Sequence, residues 1–370
     1  MNSKERVLTA IRREETDRLP IDFIARDEII SALNAHYGVT GGEDLLRCLN
    51  VDLRAIGPVI KQCVTPLGYA DPTIRIERDP VTGEDVYYDI WGVGFAEKRA
   101  QGGCYFDLCH NPLRDAQTID DLECYPFPDP DIWDYSTISA QAERHSDYAV
   151  WAHSRGFFEI SWFMRGMDNF LPDLIDNREF TERLMDKIIG YLIGRTERIL
   201  DVDRKGLIDF VEINDDVGGQ NGMLISPRLW RELIKPRIGA MISRIKRHGK
   251  LIRYHSCGGV SDIIPDLIEI GVDILNPVQP MARGMELSGL KSRFGERITF
   301  DGGIDTQELL PRKTGAAVEE ELRHILRMMG AGGGYIMAPS HALQVDVPLD
   351  NILMLYRMAA MPREQYAHAS

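Results

Sequence analysis

Short runs of β-branched and aromatic residues alternate along this chain with longer stretches whose apolar positions recur at helical spacing. In the second half the runs predict strands at 208–213, 251–255, 273–276, 298–300 and 335–338. The stretches between them predict helices at 227–248, 261–270, 287–294 and 316–329, with a last helix over 348–361. Ser226 followed by Pro227 is a good helix opening, because the hydroxyl caps and proline tolerates the first position. Upstream, Val7, Leu8 and Ile11 mark a helix over 3–14, followed by a strand near 21. Helices over 27–37 and 44–49 then precede a strand at 53–60, and a strand over 148–153 is followed by a loop at 154–158 and a long helix over 168–204.

Eight strands, near 21, 56, 151, 211, 253, 275, 299 and 337, thus alternate with helices. That rhythm, with no G-x-G-x-x-G after the first strand, favours a TIM (β/α)8 barrel over a doubly wound sheet, as a single domain over 1–370. The rhythm breaks between 61 and 148. Residues 73–98 alternate with period two around Pro80–Gly83, as a β-hairpin should, and Pro112, Pro126, Pro128 and Pro130 make 111–134 a loop. We read 61–148 as an insertion in the barrel.

A barrel builds its site at the C-terminal ends of its strands. The polar residues collect there: Glu212, Asn214, Asp215 and Asp216, then His255 and Cys257, Asn276 and Gln279, Asp301, and His341. His255 and Cys257 are two apart on a strand end, so they project to one face while Ser256 faces away. One imidazole and one thiolate make half a zinc site; the alternative is a His and a Cys that merely pack. The glycines at 332–334 precede their strand, which suits a helix stop better than a phosphate cradle.

Composition narrows the picture. A net charge of −14 and a pI near 5.2 disfavour an unspecific nucleic-acid binder or a binder of anionic membranes. No apolar run approaches the ~20 residues of a membrane span, so a cytoplasmic protein is expected. The six cysteines form no compact framework, and the Cys104, Cys109, His110 spacing fits no common metal site, so free thiols are expected.

Three segments together resemble the uroporphyrinogen decarboxylase superfamily: Lys4–Leu8 with Asp17–Pro20, then Asp215–Ile238, then His255–Pro280. The similarity spans nearly the whole chain, is weakest in the insertion, and is closest to the zinc-containing, cobalamin-dependent methyltransferase branch. The resemblance implies Zn2+ held by His255, Cys257 and a third ligand after the last barrel strand, where His341 stands in place of the branch's usual Cys. It also implies methylcobalamin, as a corrinoid on a partner protein, a small-molecule methyl donor or acceptor, and a homodimer. Glu212, Asp215 or Asp216 would then complete the zinc site or shuttle a proton, and Asn214, Asn276, Gln279 and Asp301 would hold substrate. A single thiolate makes the metal a stronger Lewis acid and leans toward an oxygen substrate such as a methoxylated compound. Two other readings stand beside this one. A metal-independent decarboxylase is disfavoured by the absence of an R-Q-A-G-R-Y type motif, the nearest stretch being Phe23–Asp27. A non-catalytic relative with a structural metal would need four protein ligands.

Overall fold

A computed structural model of the chain describes residues 1–67, 72–100 and 103–367. Its centre is a parallel sheet of seven strands in sequential order: β1 (Leu53–Ile56), β2 (Ala149–Arg155), β3 (Phe210–Asn214), β4 (Leu251–His255), β5 (Ile274–Val278), β6 (Thr299–Ile304) and β7 (Tyr335–Pro339). The eighth place is filled by residues 20–22. Asp22 N donates to Met337 O at 2.9 Å, and Asp52 N donates to Ile21 O at 2.9 Å, so this segment joins β7 to β1 and closes the TIM barrel.

Side chains alternate between two cores, as the pleat requires. Val150, Ala152, Val211, Ile213, Ile252 and Tyr254 face outward and pack under the helices. Leu53, Ala149, Phe210, Ile274 and Ile336 face inward, where Val7 and Ile11 of the helix Ser3–Ile11 meet them. That helix starts in a capping box, Asn2 accepting from Glu5 N and the Glu5 carboxylate from Asn2 N. It therefore plugs the N-terminal end of the barrel.

Below the plug lies an ion knot. Asp52, fully buried, accepts from Arg6 Nη1 at 2.8 Å, from Arg18 Nη1 at 2.7 Å and from Ile21 N at 2.9 Å.

Some elements differ from the sequence reading. The strand at 53–60 stops at Ile56, and Val59–Ile60 pairs instead with Trp133–Asp134. The long helix divides at Asn177 into Met167–Asp176 and Arg178–Val202, and the helix at 227–248 divides at Ile234 into Pro227–Leu233 and Lys235–Arg247. Pro236, which has no N–H to donate, stands just past that second break. The expected loop at 154–158 runs into a helix, Phe157–Arg165. In the insertion the hairpin is half of a four-stranded antiparallel sheet, Arg75–Arg78, Asp85–Tyr88, Gly94–Ala100 and Gly103–His110. The expected loop at 111–134 contains a short helix, Ile119–Glu123, capped by Thr118. Helix Ile138–Arg144 packs on the barrel, its Gln141 Nε2 donating to Gly57 O at 2.9 Å, so the inserted structure ends before 138 and not at 148. The sheet leans back over the mouth: Arg26 Nη2 donates to Cys104 O at 2.6 Å, and Tyr105 reaches Gln344 on the loop after β7.

Candidate metal centre

β4 delivers His255 at its last position, and the chain then turns through Cys257. Gly258 adopts φ +81°, and a Cβ there would lie 2.4 Å from Gly219 N, so only glycine lets this turn close against the hairpin at 218–223. Gln279 fixes the same turn, accepting from Gly258 N at 2.8 Å and donating to Ser340 O at 3.2 Å. Ser256 points away and accepts from Val217 N at 3.0 Å.

His255 Nε2 lies 3.8 Å from Cys257 Sγ and 3.9 Å from Asp216 Oδ1. The donor atoms of Asp216, His255 and Cys257 all lie within 4.8 Å of one another, the one such group of three among the described residues. Asn276 sets the ring. Its Oδ1 accepts from His255 Nδ1 at 2.6 Å, which holds the proton on Nδ1 and leaves the Nε2 lone pair facing the sulfur and the carboxylate. Burial pushes the Cys257 thiol well up, and the neighbouring Asp216 charge pushes the same way.

The other candidate residues sort by height in the barrel. Asn214 pairs in register with His255 and shares its level, half-buried. Glu212 lies one layer lower, 2.6 Å from Arg253 Nε, and Arg253 also reaches Asp22 at 2.9 Å and Asp301 at 3.2 Å. Burial would raise Glu212, but the Arg253 guanidinium together with His153 and His255 outweighs it and holds the carboxyl low. Asp301 is raised, because burial there outweighs Arg253. Glu212 and Asp301 are therefore not metal-facing or surface-accessible groups; they belong to a charged layer beneath.

Three roles need correction. Asp215 is fully buried and accepts from Glu159 N at 2.9 Å, capping the helix Phe157–Arg165 from the end of the neighbouring strand β3. Its full burial and its bond to the helix make it a structural cap and not a group in the mouth, and burial raises its carboxyl to about 8. Asn276 and Gln279, expected to hold substrate, are spent on His255 and on the Gly258 turn. His341, expected as third ligand, is exposed on the loop after β7 and stands outside the group of three, and Asp216 occupies its place. Its imidazole is lowered, chiefly by desolvation of the ring, while the Asp216 carboxylate acts in the opposite sense.

The sequence reading missed Asp22, His153 and Arg253. The signal for Arg253 was present, since it lies two residues before His255 and so shares its inward face. His153 Nε2 lies 3.8 Å from Glu212 Oε1, and burial lowers the imidazole to about 4.

A family model for uroporphyrinogen decarboxylase (URO-D) matches residues 108–360. Among curated proteins, a uroporphyrinogen decarboxylase from Legionella pneumophila is 21% identical over 97% of both chains. One from Wolinella succinogenes is 30% identical over 27% of this chain and 26% of its own. Among solved structures, a methyltransferase from Methanosarcina mazei superposes with a TM-score of 0.65 over 99% of both chains at 17% identity, a likeness of fold.

Proposed function

The chain belongs to the uroporphyrinogen decarboxylase family, and within it we propose a zinc-dependent methyltransferase that moves a methyl group between a corrinoid on a partner protein and a small oxygen or sulfur compound. The observation that carries this reading is the group Asp216, His255 and Cys257 at the C-terminal mouth of the barrel. Sulfur, nitrogen and oxygen donors suit zinc, and separations of 3.8 and 3.9 Å approach the ~3.5 Å edge of a tetrahedron with bonds of about 2.0–2.3 Å. Three protein donors leave one position for a substrate atom, the pattern of a catalytic site.

When bound, zinc supplies a Lewis acid for the substrate's oxygen or sulfur, and the corrinoid supplies the cobalt that exchanges the methyl group. The chain's own contribution is orientation. Asn276 aims Nε2 of His255, Gln279 holds the turn that carries Cys257, and Asp216 also accepts from Cys257 N at 2.8 Å, tying ligand to ligand. A donor set with one thiolate favours an ether oxygen over a thiol.

The test supplies reduced cobalamin and an aryl methyl ether and follows methylcobalamin by absorbance. Cys257→Ser is expected to lose zinc and transfer together while keeping the fold. Transfer unchanged in that variant, or after exhaustive chelation, would remove the metal from the reaction.

The names of the curated relatives favour a second reading, decarboxylation. Against it stands the layer around Arg253, where three carboxylates surround one guanidinium and leave no spare positive charge there for a polycarboxylate. Carbon dioxide release that survives chelation would support it.

A further inference from the structure

Branched side chains ordinarily fill a TIM barrel layer upon layer. Here the lower layer is filled, and in the layer above it Glu212, Arg253 and Asp301 are buried while the side along β1 and β2 is open. Ala55 lies two residues beyond Leu53 of the plug, so it too faces inward, and it is exposed although it sits within β1. Its partner in register is Trp151, also inward and only half-buried, and the next inward residue, His153, has a side chain 23% exposed. A hollow therefore enters the barrel along β1 and β2. The charged layer borders it from beneath, with the Arg253 guanidinium 4.7 Å from the Trp151 ring centre and Glu212 3.8 Å from His153. Arg155, the next inward residue on β2, pairs in register with Asn214, and Asn214 with His255, so His153 and the hollow lie one inward layer below the metal ligands.

We propose that this hollow holds the body of the methyl compound, that Ala55 sets its size, and that the ligand is an uncharged single-ring methyl ether, a methoxyphenol, and not a methoxylated carboxylate. The proposal rests on the methyl-transfer reading and adds the substrate class.

Size argues for a ring. Phe210 stacks parallel to the Trp151 ring at 6.2 Å and the Arg253 guanidinium lies 4.7 Å from its centre, and the surface that the half-buried indole keeps beside the small Ala55 side chain would let an aromatic ring bury area in an offset or edge-on contact. Charge argues against a carboxylate. Arg253 is taken by Asp22 at 2.9 Å, Glu212 at 2.6 Å and Asp301 at 3.2 Å, so an added anion on this floor finds a negative layer and no free partner. Arg155, the other cation inward on β2, is engaged by Glu159 at 2.6 Å, and Arg195 donates to the His153 carbonyl at 2.9 Å. The His153 ring and the open metal position offer groups that suit a hydroxyl and an ether oxygen.

Calorimetric titration of the zinc-loaded protein tests this without turnover. Wild type is expected to bind 2-methoxyphenol at least tenfold more tightly than 3-methoxybenzoate. Ala55→Leu should weaken 2-methoxyphenol at least tenfold with zinc stoichiometry unchanged, while Ala55→Ser, which keeps the space, stays within threefold of wild type and controls for folding. Equal binding by Ala55→Leu and wild type, no binding of 2-methoxyphenol by wild type, or tight binding of the benzoate would each overturn the proposal. The two readings separate cleanly. Methyl transfer from 2-methoxyphenol that Ala55→Leu leaves unaffected would keep the reaction and sink the hollow, whereas transfer from thiols alone, with ring binding still lost in Ala55→Leu, would keep the hollow and sink the ether reaction.

Discussion

The two halves of the barrel interior are built from the same strands and differ in what they leave unsatisfied. At the N-terminal half, seven apolar side chains from five strands and one helix close the plug, and every charge in the knot around Asp52 has a partner at 2.7–2.9 Å. At the C-terminal half, one guanidinium serves three carboxylates, the Asp301 oxygens receive no well-formed hydrogen bond among the described residues, and Ala55 faces open space. Saturated packing serves stability. Unsaturated polar groups cost stability and are what a metal or a substrate can engage, which is why barrels keep them at this end.

The largest effect expected to sharpen this contrast comes from the saturated half. Asp52→Ala leaves the half-buried Arg18 without its carboxylate and the buried Arg6 with Asp17 alone, and breaking a buried pair from one side costs about 3–5 kcal/mol. Denaturant unfolding should show that loss, with zinc affinity of the folded variant unchanged. In the unsaturated half the pattern should invert. Asn276→Ala frees the His255 ring and is expected to lower zinc affinity about 10- to 100-fold, with stability changed by less than about 1 kcal/mol. If Asp52→Ala weakened zinc binding as strongly as Asn276→Ala, the two halves would not be separate.

A smaller effect depends on pH. His153, faced by Glu212, Arg195, Arg155 and His255, is lowered by burial to about 4, against about 6.5 in an unfolded chain. Between those values the unfolded state binds more protons, so this residue's contribution is complete above about 6.5 and is lost as the pH falls toward 4. The full difference would be about 3 kcal/mol, and partial exposure of the ring brings it to about 1–2 kcal/mol. His153→Asn should therefore lose less stability than wild type on acidification across that range. Parallel stability curves for the two proteins would show that His153 is not held neutral.

All eight strand positions were legible because parallel strands buried on both faces read as β-branched runs between helical periods. The H-x-C pair was legible because a spacing of two on a strand end fixes one face. What the sequence could not carry was register. Placing Glu212 beneath His255, or Arg253 across from Asp22 and Asp301, requires knowing how far each strand slides past its neighbour. The helix Phe157–Arg165 was missed for a related reason: its cap, Asp215, lies more than fifty residues away on another strand end, so the segment carries no capping residue of its own.

The smallest expected effect, that of removing His341, tests the one ligand on which sequence and structure disagree. By family pattern His341 is the third ligand; by geometry it is an exposed loop residue, and Asp216 completes the group. A metal ligand that is also a loop side chain must lose rotamer freedom to bind, whereas Asp216 is already held by Cys257 N at 2.8 Å and gives up little more. Zinc affinity measured by competition with a chromophoric chelator should therefore fall at least 100-fold in Asp216→Ala and by less than about threefold in His341→Ala. His341 follows β7 at the mouth of the barrel, so its removal can still shift how a substrate is held, and the decisive readout is metal affinity and not turnover. A large loss of zinc in His341→Ala would return the ligand set to His255, Cys257 and His341 and leave Asp216 as the group that tunes them.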